Sequence, residues 1–332
     1  MSPRFSIVIP LYNKRRYIRR AIDRVISQSF RDFELIVVDD GSTDGSQEMV
    51  VDIADLRMKL IRQDNAGEGA ARNRGIKEAK ADWIAFLDAD DMWVSGHLDN
   101  LARLIERFPE SGLLSTGYQE ILDGAGVNPI PRKASNMREI DYFAEAALRI
   151  GVIHVSAVAV KRTAIQERGG FGAFPTGTDL ECWAKLALNY PITISDLVTS
   201  VYIRGTGGVM EQLARKPWVR DRLHGLTLED ISPSVKLLSR ALRDGGYNVR
   251  RASIESYINS RLISTVREAL YHRDVGMARA AANFAIGEVP MDLWLLQYFL
   301  RLPDPAILLA IDVFVVVRNL GRALFGRGSR MA

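Results

Sequence analysis

Apolar residues change period along this chain, and the changes mark out its elements. Phe5-Ser6-Ile7-Val8-Ile9 is a short, nearly continuous apolar run that predicts a buried strand, stopped by Pro10. Ile18, Ala21, Ile22, Val25 and Ile26 then recur at helical spacing, with arginines on the other face. Glu34 to Val38 predicts a second strand, and the polar, glycine-bearing stretch from Asp39 to Ser46 a loop before a short helix through Val50 and Ile53. Lys59 to Arg62 predicts a short strand, Ala70 to Ala79 a helix, and Trp83 to Leu87 a further strand. Ser95 is placed to cap a helix whose Leu98, Leu101, Ala102, Ile105 and Phe108 share one face, with Pro109 beyond its end. Such alternation of strand and helix predicts an α/β fold, a mostly parallel sheet with helices on both faces.

After residue 110 the order loosens. Leu113 to Tyr118 and Val155 to Val160 read as strands, Asp123 to Lys133 as a Gly- and Pro-bearing loop, and Asp179 to Asn189 as a helix. From Leu223 onward helical patterns dominate, as in Ser253 to Tyr271 and Val275 to Ile286. The expected organisation is a first domain over 1–220, with halves 1–110 and 111–220, and a helical region over 221–332. Within the latter, the stretch 306–325 is strongly apolar, but Asp312, Arg318, Asn319 and Arg322 share one sector of a helical wheel. Two readings stay open: a basic amphipathic helix lying peripherally at the inner membrane face, or a helix packed on the body or on a second copy in a homodimer.

Composition narrows this little. The 332 residues are 47% hydrophobic and 25% charged, ordinary for a globular protein, and a net charge of +4 gives no case for nucleic acid. Cys182 is the only cysteine, so no intrachain disulfide forms, and it reads as a small buried hydrophobe. No leader-like or membrane-spanning run is evident, so a cytoplasmic location is expected.

The chemistry lies in the loops. If the strands are parallel, Tyr12-Asn13, Asp39-Asp40-Gly41-Ser42 and Asp88-Ala89-Asp90-Asp91 emerge at one sheet edge, where open α/β sheets bind ligands. One Asp in a turn or helix cap needs no explanation; three carboxylates crowded after one strand repel unless a cation joins them. A hard divalent ion that also holds a diphosphate fits that need. No G-x-G-x-x-G follows the first strand and no G-x-x-x-x-G-K-[ST] occurs, which disfavours Rossmann dehydrogenases and P-loop NTPases.

The runs FSIVIPLYNKRRYIRRAIDRVISQSFRDFELIVVDDGSTDGS, NAGEGAARNRGI and ADWIAFLDADDMW, in this order, resemble a family 2 glycosyltransferase. The resemblance implies the GT-A fold, a Rossmann-like mixed sheet, and a nucleotide-sugar donor such as a UDP-sugar. It implies that Pro10, Tyr12 and Asn13 border the nucleotide, and that Asp40, with Asp39 beside it, accepts a hydrogen bond from the uracil or thymine ring. Arg72 and Asn73 would lie near the base and phosphates. Asp88-Ala89-Asp90 would be the D-x-D motif, Asp88 at the ribose and Asp90 holding Mn²⁺ or Mg²⁺ against the diphosphate, with Asp91 the competing metal ligand.

Further on, the family usually shows Gly-Gly-Phe, then a Glu-Asp pair and a Trp. Here Gly169-Gly170-Phe171 is followed by Thr178-Asp179 and Trp183, and Thr178 departs from the common Glu. Asp179 stands at the catalytic base, with Glu181 as competitor, and a plain helix cap is the structural alternative. The implied reaction is inverting transfer to a hydroxyl of a sugar, glycolipid or polysaccharide, as in cell-surface polymer synthesis. Two alternatives remain: an inactive scaffold that keeps the fold, and a sugar nucleotidyltransferase. The latter would want a glycine-rich basic turn where this chain has Pro10-Leu11-Tyr12-Asn13. Trp93 is open between walling the sugar and anchoring the core, whereas Trp183 and the histidines, which lack metal-ligand spacing, read first as structural.

Overall fold

The computed structural model describes residues 2–126, 136–149, 151–174, 176–208, 232–245 and 247–311. The chain divides into two compact units, Met1–Lys216 and Pro217–Ala332.

In the first unit, nine strands among the described residues form one sheet. Strand β1 (Phe5–Leu11) is buried along its whole length, which its unbroken apolar run requires. It lies between β2 (Phe33–Asp40) and β4 (Trp83–Phe86), parallel to both, and β3 (Met58–Gln63) is parallel to β2 on the outer side. Pro10 does not stop β1. Val8 accepts a hydrogen bond from the Leu87 N–H, so by alternation position 10 faces the same side, beyond the last residue that β1 pairs with β4. A missing N–H is tolerated there.

Helix α1 (Arg15–Ile26) buries Tyr17, Ile18, Ala21, Ile22 and Val25 and leaves Arg15, Arg16 and Arg19 exposed, as its period dictates. After α2 (Glu48–Val51), helix α3 (Glu68–Glu78) packs so tightly on β1 that a Cβ at Gly75 would meet Val8 at 2.3 Å. Helix α4 (His97–Arg107) is entered through Gly96 at φ 85, and Ser95 supplies no side-chain cap: the left-handed turn that starts this helix suits glycine.

The second half makes the sheet mixed. Strand β8 (Val158–Lys161) is antiparallel to both β4 and β6 (Leu113–Leu122), and β6 is parallel to β9 (Ile192–Arg204). Short β5 (Met92–Trp93) and β7 (Met137–Ile140) pair antiparallel with β9. Residues 155–157 form a 3₁₀ turn before β8 instead of extending it, because the His154 Nδ1 accepts the Ser156 N–H. Strand β9 escapes the sequence pattern: its register against β6 slips around Gly117, so inward and outward positions stop alternating. Helices α5 (Tyr142–Leu148), α6 (Arg162–Glu167) and α7 (Thr178–Asn189) complete the unit among the described residues.

His97 is fully buried, stacks on Trp93 at 4.1 Å and pairs through Nδ1 with the Thr199 hydroxyl at 2.9 Å. Burial pushes its pKa down to about 3. The unfolded chain therefore takes up a proton from about pH 6.5 downward that the folded chain refuses. Stability should fall with pH by up to about 1.4 kcal/mol per unit below that point. Denaturant titrations between pH 6.5 and 5 should show this slope reduced in His97→Phe; equal slopes would place the charged form in the fold.

The second unit is helical: α8 (Pro233–Arg243), α9 (Arg251–Tyr271), α10 (Val275–Ala282) and α11 (Met291–Phe299). The expected helix over 275–286 ends at Ala282, and the loop after it is held by Asn259, whose amide bonds the Ile286 N–H and the carbonyls of Ile286 and Glu288. No helix among the described residues is long and apolar enough to cross a membrane. Most of the amphipathic tail expected over 306–325, and the helical onset near Leu223, lie outside the described residues.

Candidate active site

The strand order β3-β2-β1-β4 reverses direction of growth at β1, opening a crevice between the C-terminal ends of β1 and β4. The loop after β1 is fastened to the loop after β2. Asn13, at φ 50, donates its N–H to the Ser42 hydroxyl at 3.1 Å and accepts the Thr43 N–H at 2.8 Å; the Lys14 N–H donates to the Ser46 hydroxyl at 2.8 Å. Tyr12 stands out from this lattice, 48% exposed.

The two aspartates ending β2 have different work. Asp40 accepts from the Gln63 side chain at 2.7 Å and from the N–H groups of Ala66 and Gly67 at 3.0 and 2.8 Å. Its carboxylate shapes the loop before α3. Asp39 accepts the Ser42 N–H with Oδ1, while its buried Oδ2 has no hydrogen bond, with Arg62 Nε 3.4 Å away. A buried acceptor without a donor is an unusual expense in a fold.

Helix α3 contributes Arg72 and Asn73. Arg72 is 2% exposed, lies over the Phe171 ring at 5.2 Å, and donates to Asp88 Oδ1 at 2.7 Å and to Glu68. Burial alone would lower its pKa, but Glu68 and Asp88 more than offset that and raise it. Glu68 is pushed up to about 7, first by desolvation, then by Asp88, Asp179 and Asp90, with Arg72 opposing. Some 44% of its side chain stays open to water, which weakens the desolvation. The Asn73 amide grips Phe171 at both ends, donating to the carbonyl at 2.8 Å and accepting the N–H at 2.9 Å.

The acidic loop divides its three carboxylates. Asp88 meets Arg72, and its N–H donates to the Ser156 hydroxyl at 3.1 Å. Ala89, between Asp88 and Asp90, is packed in the core. Asp90 Oδ2 accepts from Lys14 Nζ and from the Thr206 hydroxyl, each at 2.6 Å, while Arg20 binds its carbonyl at 2.9 Å. Asp91 turns inward. It is 1% exposed and accepts from the Ser156 hydroxyl at 2.5 Å and the Ile203 N–H at 2.9 Å, and burial, with Asp88 and Asp90 nearby, raises its pKa well above the carboxylate range. Asp91 thus ties the loop to β9, while Asp88 faces Arg72 and Asp90 faces Lys14.

His154 accepts the Ser156 N–H on Nδ1, leaving the proton of the neutral ring on Nε2. Its ring lies between Tyr118 at 5.1 Å and Tyr202 at 4.4 Å. Burial lowers its pKa, against the pull of Asp88 and Asp179. Trp93 and Trp183 are both fully buried, the former donating to the Ser156 carbonyl at 2.6 Å, so both belong to the core.

Helix α7 starts after Gly177 in a left-handed conformation, which takes the capping position from Asp179. The Asp179 side chain has no hydrogen bond among the described residues, yet it acts electrostatically on Glu68, Arg72 and His154. Glu181 is committed elsewhere: it pairs with Lys185 at 2.9 Å, and Lys185 holds the Gly170 carbonyl at 3.0 Å. The turn at 169–172 is further fixed against α3, where a Cβ at Gly69 would meet the Gly172 carbonyl oxygen at 2.8 Å.

Among the described residues no three His, Cys, Asp or Glu side chains assemble a complete metal cage. The donor set still suits Mn²⁺ or Mg²⁺, which bind through one or two carboxylates plus substrate phosphates. Asp90, already neutralised by an ammonium group, has the chemistry for this.

The family profile described as "Glycosyl transferase family 2" matches residues 6–169. The N-terminal half of this chain belongs to glycosyl transferase family 2. Relatives include a glycosyltransferase of Rickettsia felis, 28% identical over 200 residues, covering 59% of this chain and 33% of that protein. A Haemophilus influenzae glycosyltransferase is 34% identical over 168 residues, covering 49% of this chain and 64% of the relative. Alignment with the first of these curated relatives reaches only about a third of their length. Among solved structures, S. aureus TarS 1–349 in complex with UDP-GlcNAc aligns with TM-score 0.66 and 19% identity over 100% of this chain and 94% of that one. The mannosyltransferase PcManGT of Pyrobaculum calidifontis, in complex with GDP-Man and Mn²⁺, aligns at 0.54 and 20% identity over 96% and 88%. These likenesses establish the GT-A fold of the family 2 domain, a mixed sheet between helices.

Proposed function

We propose that this protein transfers a glycosyl group from a nucleoside diphosphate sugar, a UDP-sugar foremost, to a hydroxyl of a sugar, glycolipid or polysaccharide acceptor, with inversion at the anomeric carbon. The observation that carries this reading is the Asp179 carboxylate: it has no hydrogen bond among the described residues, and its neighbour Thr178 packs on Gly69 of α3, the helix whose Arg72 binds Asp88. A base and a cation-holding loop in one site are what a single displacement needs.

Each residue has a part in that reading. Asp39 Oδ2 accepts a ring N–H of the nucleobase, satisfying the buried oxygen that the protein leaves without a donor. Tyr12 covers the base and Pro10 borders it. Asp88, steadied by Arg72, accepts from the ribose hydroxyls. Asp90 holds the divalent ion, which when bound supplies charge neutralisation for the departing diphosphate. Asp179 takes the acceptor proton as the new bond forms. Asn73, Lys185, Asp40 and Asp91 hold backbone, and Glu181 pairs with Lys185.

Two neighbours support the donor class, since TarS is described with UDP-GlcNAc and PcManGT with GDP-Man and Mn²⁺. The reading is tested by incubating the protein with a panel of nucleotide sugars and Mn²⁺ and following the products. Release of UDP from one donor, lost on chelation, is expected. Pyrophosphate release would instead indicate a nucleotidyltransferase, and binding of donors without any turnover a scaffold.

A further inference from the structure

Lys14 and Asp90 close the crevice between β1 and β4. The ammonium lies 2.6 Å from Asp90 Oδ2, both side chains are only 15% exposed, and the backbone of Lys14 is fixed by Ser46. The same oxygen accepts the Thr206 hydroxyl, and Lys14 Nζ also donates to the Thr206 carbonyl at 3.2 Å. Three segments distant in sequence thus meet at one carboxylate oxygen: the loop after β1, the loop after β4 and the residues just past β9. An arrangement this enclosed is more than a surface ion pair, which would hold neither side chain firmly.

A divalent ion on Asp90 and an ammonium on the same carboxylate repel each other at close range. The diphosphate that such an ion holds offers the ammonium anionic oxygens beside its present position. We propose that Lys14 is the resident counter-cation of Asp90, competing with the divalent ion when no nucleotide is bound, and passing from Asp90 to the diphosphate when ion and nucleotide bind together. This inference rests on the nucleotide-sugar reading above and adds to it a residue that exchanges partners.

The test uses the full chain and two binding measurements, Mn²⁺ alone and UDP at saturating Mn²⁺, by titration calorimetry. Lys14→Met should bind Mn²⁺ alone at least about tenfold more tightly and UDP at least about tenfold more weakly, the factor expected for one charge-assisted hydrogen bond. Thr206→Val removes a second donor from Asp90 but carries no charge. It should tighten Mn²⁺ by a smaller factor and leave UDP affinity unchanged, and as a loop substitution it serves even if Lys14→Met does not fold. Unchanged Mn²⁺ affinity in both variants overturns the exchange while leaving the donor reading intact. A wild-type protein that takes up neither Mn²⁺ nor UDP overturns the donor reading itself.

Discussion

Asp90→Ala is expected to abolish metal-dependent turnover, a loss of more than about a thousandfold, the scale on which removal of a charge-stabilising group acts in a transition state. Mn²⁺ titration in the presence of UDP should show no uptake, and UDP affinity should fall with it. The expectation rests on how the acidic loop divides its carboxylates. Asp91 is held by Ser156 and the Ile203 N–H, and Asp88 is claimed by Arg72, whereas Asp90 faces a lysine ammonium that a divalent ion can replace. The folded state should survive, because Asp90 lies at the crevice and its partners Lys14 and Thr206 come from loops. If Asp90→Ala retained metal-dependent turnover, the ion would be held by Asp88, and the roles of ribose and metal ligand would have to be exchanged.

Asp179→Asn should lower kcat by at least about a hundredfold, the usual worth of a general base, and leave the donor affinity unaltered. Asparagine keeps the size of the side chain at the start of α7 and removes only its ability to take a proton. The separation of kcat from donor binding distinguishes a base from a positioning group: loss of a residue that merely shaped the turn at 169–172 would disturb binding as well. Full turnover in Asp179→Asn would move the base elsewhere. Glu181 is a poor substitute, since its charge is committed to Lys185 and through it to the Gly170 carbonyl.

Local pattern carried the first half of the fold well. The runs that became β1 to β4 and α1, α3 and α4 have one period each and bury one face or both, so neighbouring residues suffice to read them. The second half was harder for a physical reason. Strand β9 slips register, β5 is two residues long, and β8 opens with a turn made by His154, so their identity depends on partners far away in the chain. Ser95 and Gly96 show the same limit at small scale. A serine before an apolar periodic run is a fair cap, but the backbone entered the helix through a left-handed residue that only glycine takes easily.

The site divides along the same line. Sequence marked out the candidate residues: the acidic loops at strand ends and the Arg72 segment fall within the family match over residues 6–169, and the Gly-Gly-Phe to Asp179 stretch follows it. Tertiary structure decided what each carboxylate is free to do. Asp39 and Asp40 are neighbours, as are Asp90 and Asp91, yet in each pair one is engaged by N–H and hydroxyl donors from other segments, while the other keeps an oxygen without a hydrogen bond or faces a lysine. Lys14, Thr206 and Ser156 joined the site only through folding, since nothing in their local sequence distinguishes them. A carboxylate's availability depends on the donors around it in space, and those donors come from strands and loops that the linear order keeps apart.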